Sequence, residues 1–152
     1  MEKGMIQTVK EAVMTAISKN FSEKIYGEEV PQKGSDACFG VMIKRVEQKP
    51  LLNGRREQWI TMQIQYSRQT GERKKAHSTE TADKLYEILA LIGEEKNLFL
   101  CREMNHTMTQ NGFCFEAVYY IQLLPVKEEK KMERLEYNGV KTVGYEKENI
   151  KI

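Results

Sequence analysis

Residues 37–66 constrain the fold more than any other part of the chain, because they contain two runs in which apolar and polar side chains alternate. The apolar residues lie two apart in each run: Phe39, Val41 and Ile43 in the first, and Ile60, Met62, Ile64 and Tyr66 in the second. A period of two is typical of strands that bury one face. The connection 47–55 contains Pro50 and the pair Asn53-Gly54, which favour turns. We predict two long antiparallel strands at the centre of a sheet, joined by a protruding loop.

Two other segments have the apolar spacing of amphipathic helices. Residues 5–19 carry the first stripe, made of Met5, Ile6, Val9, Ala12, Val13, Ala16 and Ile17. The second helix is predicted to begin after Ser78 or Thr79, either of which can cap it, and to run to about Ile92. Its stripe is Ala82, Leu85, Tyr86, Leu89 and Ile92. Gly93 follows where a C-cap glycine is expected.

Two further regions are predicted to form strands. Residues 24–30 are a candidate for a short strand, and residues 98–108 alternate again before Asn111-Gly112, a strong hairpin signal. A two-residue turn that pairs Gln110 with Phe113 places Leu100, Met104 and Met108 on the apolar face of this hairpin. The same face then receives Arg102 and His106, a conflict that indicates either a register slip or a partly open region.

The predicted order of elements is α-β-β-β-α-β-β. It corresponds to a single α+β domain, residues 1–125, with two helices on one face of a mainly antiparallel sheet of four to five strands. Residues 126–152 form a charged C-terminal extension. Within it, Asn138-Gly139 separates residues 132–137 from 140–145, which predicts a small β-hairpin. Because a lone hairpin is marginal in water, we expect it to pack on the domain or on a neighbouring subunit.

The bulk composition is that of an ordinary globular domain. The chain has 152 residues, of which 40% are hydrophobic, with 24 basic and 22 acidic residues and a formal net charge of +2. A nearly neutral protein has no strong overall attraction for nucleic acid or anionic membranes. No apolar run approaches the roughly 20 residues that a membrane helix needs, and acidic residues interrupt the N-terminal apolar stripe. We therefore expect no membrane association and a location in the cytoplasm of the producing cell.

The sequence offers no recognisable catalytic or metal site. It contains no phosphate-binding glycine loop and no metal-ligand spacing. Cys101 and His106 are five residues apart, which places them on opposite faces of a strand and prevents them from acting as nucleophile and base. Cys38, Cys101 and Cys114 are predicted to be small buried hydrophobic residues, and the expected register excludes a disulfide between Cys101 and Cys114 because it sets them at opposite ends of the hairpin. We predict neither enzymatic activity nor a cofactor.

A few residues are candidates for contact with another molecule. Two basic clusters occur: Lys49, Arg55 and Arg56 in the central loop, and Arg68, Arg73, Lys74 and Lys75 after the second central strand. If both lie at one end of the sheet they form a positive patch that could neutralise phosphates; otherwise they are ordinary solvated loops. Trp59 lies on the polar face of its strand, so it is either an interface anchor or covered by the C-terminal extension. The candidate interface residues are Lys49, Arg55, Arg56 and Trp59.

Several local phrases occur in an order that resembles the bacteriophage and prophage tail terminator proteins, also called tail-completion proteins. After the N-terminal helix they are Ile25-Tyr26-Gly27-Glu28-Glu29-Val30-Pro31-Gln32, Gly34, Cys38-Phe39-Gly40, Asn53-Gly54-Arg55-Arg56, Ile64-Gln65-Tyr66, and the helical set Ala82, Leu85, Tyr86 and Leu89. The similarity covers about residues 5–124. The chain departs from the family pattern at Lys33, which separates a usually adjacent glutamine and glycine, and at Ala37, where proline is common.

The resemblance implies a non-enzymatic structural protein of virion assembly. Such proteins form a ring, typically hexameric, on the head-proximal end of the tail tube, where the ring stops tube growth and presents the head-joining surface. The implied partners are copies of the chain, the tail tube protein and the head connector or neck protein. The implied location is the host cytoplasm during assembly and then the head–tail junction of the virion. The alternatives are a small nucleic-acid-binding or regulatory α+β module and another head–tail connector component.

Overall fold

The computed structural model of the chain describes residues 4–31, 37–68 and 74–125. The elements in chain order are α1 Met5–Asn20, β1 Lys24–Tyr26, β2 Cys38–Pro50, β3 Arg56–Ser67, α2 Lys74–Ile88, β4 Leu91–Glu94, β5 Asn97–Thr109 and β6 Gly112–Leu123. The α+β class and the predicted order are confirmed, with one additional strand, β4. In this described part, neither helix has the length and apolar character needed to span a membrane.

All six strands belong to one sheet in the order β1-β2-β3-β6-β5-β4. β1 runs parallel to β2, whereas every other neighbouring pair is antiparallel. The two central strands are β3 and β6, which pair along the whole length of both. The prediction that β2 and β3 occupy the centre is therefore wrong for β2, because β6 returns along the free side of β3 and leaves β2 near an edge.

Both helices pack on one face of the sheet and enclose the core. The largest fully buried side chains are Tyr119, Phe39, Phe113, Phe115, Ile17, Ile60, Met62, Ile64, Leu85, Leu89, Val9 and Val13. Burying each large apolar side chain contributes about 1.5–3 kcal/mol, so this shared core is what joins α1 and α2 to the sheet. The predicted alternation of β3 is confirmed from Ile60 to Tyr66, where every second residue is buried.

The β2–β3 hairpin is longer than predicted. Its strands pair as far as Pro50 and Arg56, so the connection is confined to residues 51–55 rather than 47–55. Asn53 and Gly54 have left-handed backbone angles, φ 64° and 75°, which is the conformation that an Asn-Gly turn favours. A β-bulge between Ile43 and Arg45 shifts the register beyond it. The hairpin extends beyond the part of the sheet that the helices cover.

Helix α2 begins earlier than predicted. It starts at Lys74, and Ser78 lies inside it rather than acting as its cap. Ser78 is buried and precedes Ala82 and Leu85 on the same helical stripe, at spacings of four and seven. The buried stripe therefore begins one turn before the residues from which the helix was predicted.

The end of α2 also differs from the prediction, because residues 91–94 form β4. Ile92 pairs with Phe99 across the β4–β5 hairpin and both are buried, so Ile92 contributes to the core from a strand. Gly93 is not a helix C-cap: it lies in β4 at φ 103°, and a Cβ there would be 1.8 Å from the carbonyl oxygen of Asn97. The close approach of the two strands explains the glycine.

The β5–β6 hairpin is confirmed, with a different register. Thr109 pairs with Gly112, so the turn consists of residues 110–111, and Gln110 does not pair with Phe113. This shift keeps His106 and Met108 on the apolar face. A β-bulge between Cys101 and Glu103 then moves the residues before it to the face opposite the predicted one. Leu100, predicted to face the core, is 58% exposed. The register slip thus resolves the conflict for Arg102, whereas His106 stays on the apolar face and is partly buried.

The predicted C-terminal hairpin and the boundary after residue 125 lie outside the described residues.

Candidate interaction surface

Four side chains form a row on the face of the sheet turned away from both helices. We call Lys49, Trp59, Tyr120 and Arg102 the aromatic strip. Trp59 and Tyr120 are paired on β3 and β6, and their ring centroids are 5.2 Å apart. The ammonium of Lys49 lies 5.5 Å from the Trp59 ring centre, and the guanidinium of Arg102 lies 4.6 Å from the Tyr120 ring centre. Two aromatic rings in tilted contact are therefore flanked by a cation on each side.

Hydrogen bonds fix the position of Tyr120 within the aromatic strip. Its hydroxyl donates to the carboxylate of Glu57, and it accepts a 3.1 Å hydrogen bond from Nε2 of Gln122. Trp59 and Tyr120 are both half-buried, which leaves part of each ring accessible. A surface whose aromatic groups are already held in place loses little conformational entropy on binding, and such groups are frequent anchors of protein interfaces.

The four candidate interface residues do not all lie together. Lys49 and Trp59 are in contact on the face away from the helices. Arg55 lies in the hairpin connection, where its Nε donates a 3.3 Å hydrogen bond to the carbonyl of Leu52. Arg56 begins β3 three residues before Trp59, so the alternation of the strand directs it toward the opposite face. Within the described residues, Trp59 contacts Lys49 and Tyr120 and remains partly accessible.

The described members of the two basic clusters do not lie together. Arg56 begins β3 and Arg68 directly follows its end, twelve residues later, which corresponds to about 40 Å along an extended strand. These two arginines therefore do not contribute to a joint phosphate-binding patch. Acidic side chains also intervene near the first cluster, since Glu47 is bonded to Arg45 at 2.7 Å.

The geometry offers no nucleophile with a base beside it among the cysteines and histidines of the described residues. The prediction that Cys101 and His106 lie on opposite faces is wrong, because the bulge turns Cys101 toward Tyr119 on the helix side. They are nevertheless separated by about four strand positions, or about 13 Å. The Nδ1 atom of His106 is within 2.7 Å of the Tyr86 hydroxyl oxygen, to which it is hydrogen-bonded.

The thiols are not activated. Burial raises the pKa of Cys101 and of Cys114 above the usual value for cysteine, which lowers their thiolate fractions at neutral pH. Cys38 is buried, and none of the three cysteines forms a disulfide bond. Across residues 4–31, 37–68 and 74–125, no three or more potential metal-ligating side chains of His, Cys, Asp or Glu are grouped as a metal would require.

A groove of about 530 Å³ separates α1 from the β4–β5 hairpin. Its lining is mixed, with apolar side chains such as Ala16 and Phe99 and the charged side chains of Glu11, Lys19 and Glu94. Neither histidine nor cysteine contributes to this lining. The groove therefore has the composition of an ordinary surface depression between elements.

Sequence reasoning did not identify Tyr120 and Arg102. Arg102 was assigned to the helix side because a bulge cannot be seen in a pattern of period two. Tyr120 had a usable signal: in an alternating strand the doublet Tyr119-Tyr120 places one ring inside and the other outside. The outward tyrosine then lies next to Trp59 on the neighbouring strand.

The family model described as "Phage tail terminator protein" matches residues 8–132, which include nearly all of α1 and every other described element. No curated protein matches the chain.

Proposed function

The chain belongs to the phage tail terminator family, and from this premise we propose that it caps the head-proximal end of the tail tube and presents the surface to which the head joins. Family membership places the chain in phage tail assembly. The capping and head-joining steps are our proposal. Its main support is the match over residues 8–132, because this range contains the whole sheet and both faces of it.

A capping role requires specific contacts between proteins and no bond-making step. The proposed assembly is a closed ring, typically of six copies, that contacts the last ring of the tail tube on one side and the head connector or neck protein on the other. The chain would be made in the host cytoplasm and would remain at the head–tail junction of the virion. We assign the aromatic strip and the adjoining connection 51–55 to the contact with the tail tube, since they offer preorganised rings and exposed cations.

The test is removal of the gene from the phage or prophage that encodes the chain. Without the protein, we expect tails of uncontrolled length and heads that do not join them, visible by electron microscopy. The protein supplied from a plasmid should restore finished virions. Normal tails with attached heads in the absence of the gene would contradict the proposed function.

A further inference from the structure

Among residues 4–31, 37–68 and 74–125, each side of the sheet has a strand edge without a paired strand over most of its length. β1 pairs only with residues 38–40 of β2, and β4 pairs only with residues 97–100 of β5. Among the strands of the described part, residues 41–50 therefore pair only with β3, and residues 103–109 pair only with β6. We call these segments the β2 edge and the β5 edge. An unpaired edge presents backbone N–H and C=O groups to any strand that can align with it.

The two edges carry apolar side chains on the same face of the sheet. On the β2 edge, Ile43 and Val46 face the helix side, opposite Met62 and Ile60, and are 37% and 36% exposed. On the β5 edge, Met104 and Met108 face the helix side, opposite Ala117 and Phe113; Met108 is 44% exposed. If the two edges paired in a continuous sheet, these side chains would cover one another.

The charges of the two edges are complementary. The β2 edge contains Lys44, Arg45 and Lys49 with Glu47, whereas Glu103 is the acidic residue of a β5 edge without lysine or arginine. A net positive edge therefore meets a net negative one. By contrast, two β2 edges brought together would repel each other, which disfavours a symmetrical pairing.

The directions of the strands allow the edges to pair between identical copies. The four strands β2, β3, β6 and β5 alternate in direction, so β2 and β5 are antiparallel to each other. A second copy placed beside the first in the same orientation thus brings its β5 antiparallel to β2. Every copy would use each edge once. Such a heterologous contact closes into a ring when the rotation between neighbouring copies is right.

The short strands β1 and β4 determine how the copies must be offset. Without an offset, residues 103–109 stand level with residues 38–45 of β2, part of which β1 already occupies. A shift of four residues, or about 13 Å along the strands, is the smallest that places all of residues 103–109 against the β2 edge and keeps side chains of the same face opposite one another, with Met108 opposite Ile43. A stagger of this kind is also what closure of a sheet into a barrel requires.

We propose that copies of this chain assemble by strand addition, with the β2 edge of one copy paired antiparallel to the β5 edge of the next. The partner is a second copy of the chain. The inference rests on the proposed function for its ring and adds the surfaces by which the ring forms.

The test uses two variants of the full chain and one control. Val46→Lys and Met108→Lys each place an ammonium group in the seam between copies. Leu98→Lys makes the same kind of change at an exposed leucine in the part of β5 that pairs with β4, outside both edges. Mass is measured by sedimentation at concentrations up to about 1 mM, where even weak pairing is populated. We expect each edge variant to weaken association about tenfold or more, and Leu98→Lys to associate like the wild type.

Mixing the two edge variants tests whether the contact is heterologous. Val46→Lys retains an intact β5 edge and Met108→Lys retains an intact β2 edge, so an equimolar mixture should form dimers and no larger species. Association of either variant like the wild type would overturn the proposal, as would a wild-type chain that stays monomeric throughout. Melting temperatures of the separate variants, which should match that of the control, exclude unfolding as the cause.

Amide hydrogen exchange identifies the occupant of the β2 edge. The backbone amides of residues 41–50 that point away from β3 should exchange faster in dilute monomer than in the assembled state. If these outward amides are already protected in the monomer, another segment of the same chain occupies the edge and the proposal fails. Tail completion by a Val46→Lys protein that still forms rings would reject these edges while the proposed function stands. Rings that pair through these edges but never finish a tail would support the edges and contradict the proposed function.

Discussion

At the scale of single residues, Tyr119 connects the sheet to the end of α2. Its ring is buried in the core, and its hydroxyl donates a 2.7 Å hydrogen bond to the carbonyl of Leu89, just after the helix. The carbonyls at a helix end have no partner within the helix, so this bond satisfies one of them. Burial also raises the pKa of Tyr119 well above its usual value, because an ionised phenolate would lose its hydration.

We expect Tyr119→Phe to lower the free energy of unfolding by about 1–3 kcal/mol, because the carbonyl of Leu89 loses a buried partner. The raised pKa makes this difference depend on pH. It is fully present below about pH 10, where the tyrosine is protonated in both states. It decreases above that pH because ionisation stabilises only the unfolded chain. Denaturant titrations at pH 7 and above pH 10 measure both effects, and Tyr26→Phe is the control. A pH-independent difference would contradict the argument.

The contact of Lys49 with Trp59 allows a second test at this scale. Lys49 is exposed, so Lys49→Ala should change the free energy of unfolding by no more than about 1 kcal/mol. Tail completion in the phage should nevertheless fall if the aromatic strip contacts the tube. Lys84→Ala is the matched control, since the Lys84 ammonium lies 5.2 Å from the ring centre of Phe21, on another part of the molecule. Equal infectivity for the two variants would argue against the strip as a contact.

At the scale of elements, the central pair of strands β3 and β6 depends on a glycine. Gly112 begins β6 opposite Ser67, and a Cβ at this position would lie 1.8 Å from the carbonyl oxygen of Tyr66. The neighbouring backbone bond from Arg68 N–H to the carbonyl of Asn111 measures 2.6 Å. The turn of the β5–β6 hairpin is therefore packed directly against the end of β3.

We predict that Gly112→Ala lowers the free energy of unfolding by about 3 kcal/mol or more, because backbone rather than a flexible side chain would have to move. Gly4→Ala is the control, since a Cβ at Gly4 meets no atom within 4 Å. Thermal unfolding of the two variants measures the difference. Equal melting temperatures would mean that the β3–β6 junction can adjust without cost.

At the scale of the whole molecule, the hairpin end of the sheet is rich in exposed apolar side chains. Leu52 is 79% exposed, Leu124 is 71% exposed, and Val46 lies on the nearby part of β2. The described chain leaves the sheet at this end, where a Cβ on Gly54 would be 3.1 Å from Pro125. This is the region from which residues 126–152 continue.

Deletion of residues 126–152 is expected to lower the melting temperature or to change the mass of the assembly. The physical reason is that apolar groups such as Leu52 and Leu124 gain stability when another segment or subunit covers them. Calorimetry and light scattering on the full and shortened chains provide the measurement. If melting temperature and mass are both unchanged, the extension does not pack on this domain or on its neighbour.

The sequence alone determined the fold class, the first helix and the β2–β3 hairpin. It also indicated membership of the tail terminator family through the resemblance. These features depend on local periodicity and turn residues: the apolar stripe of α1, the alternation from Ile60 to Tyr66, and the Asn53-Gly54 turn. Each can be recognised from residues close together in the sequence, without knowing which element packs against them.

Only the tertiary structure decided which strands became the centre and which faces the side chains near the bulges occupy. A bulge adds one residue without leaving a distinct pattern, so Leu100, Arg102 and Cys101 were each assigned to the wrong face. The length of α2 also depends on packing. Ser78 is a polar residue, and it lies buried inside the helix because neighbouring elements cover it. Strand order is set by contacts between residues distant in the chain, and a period of two is compatible with any neighbour.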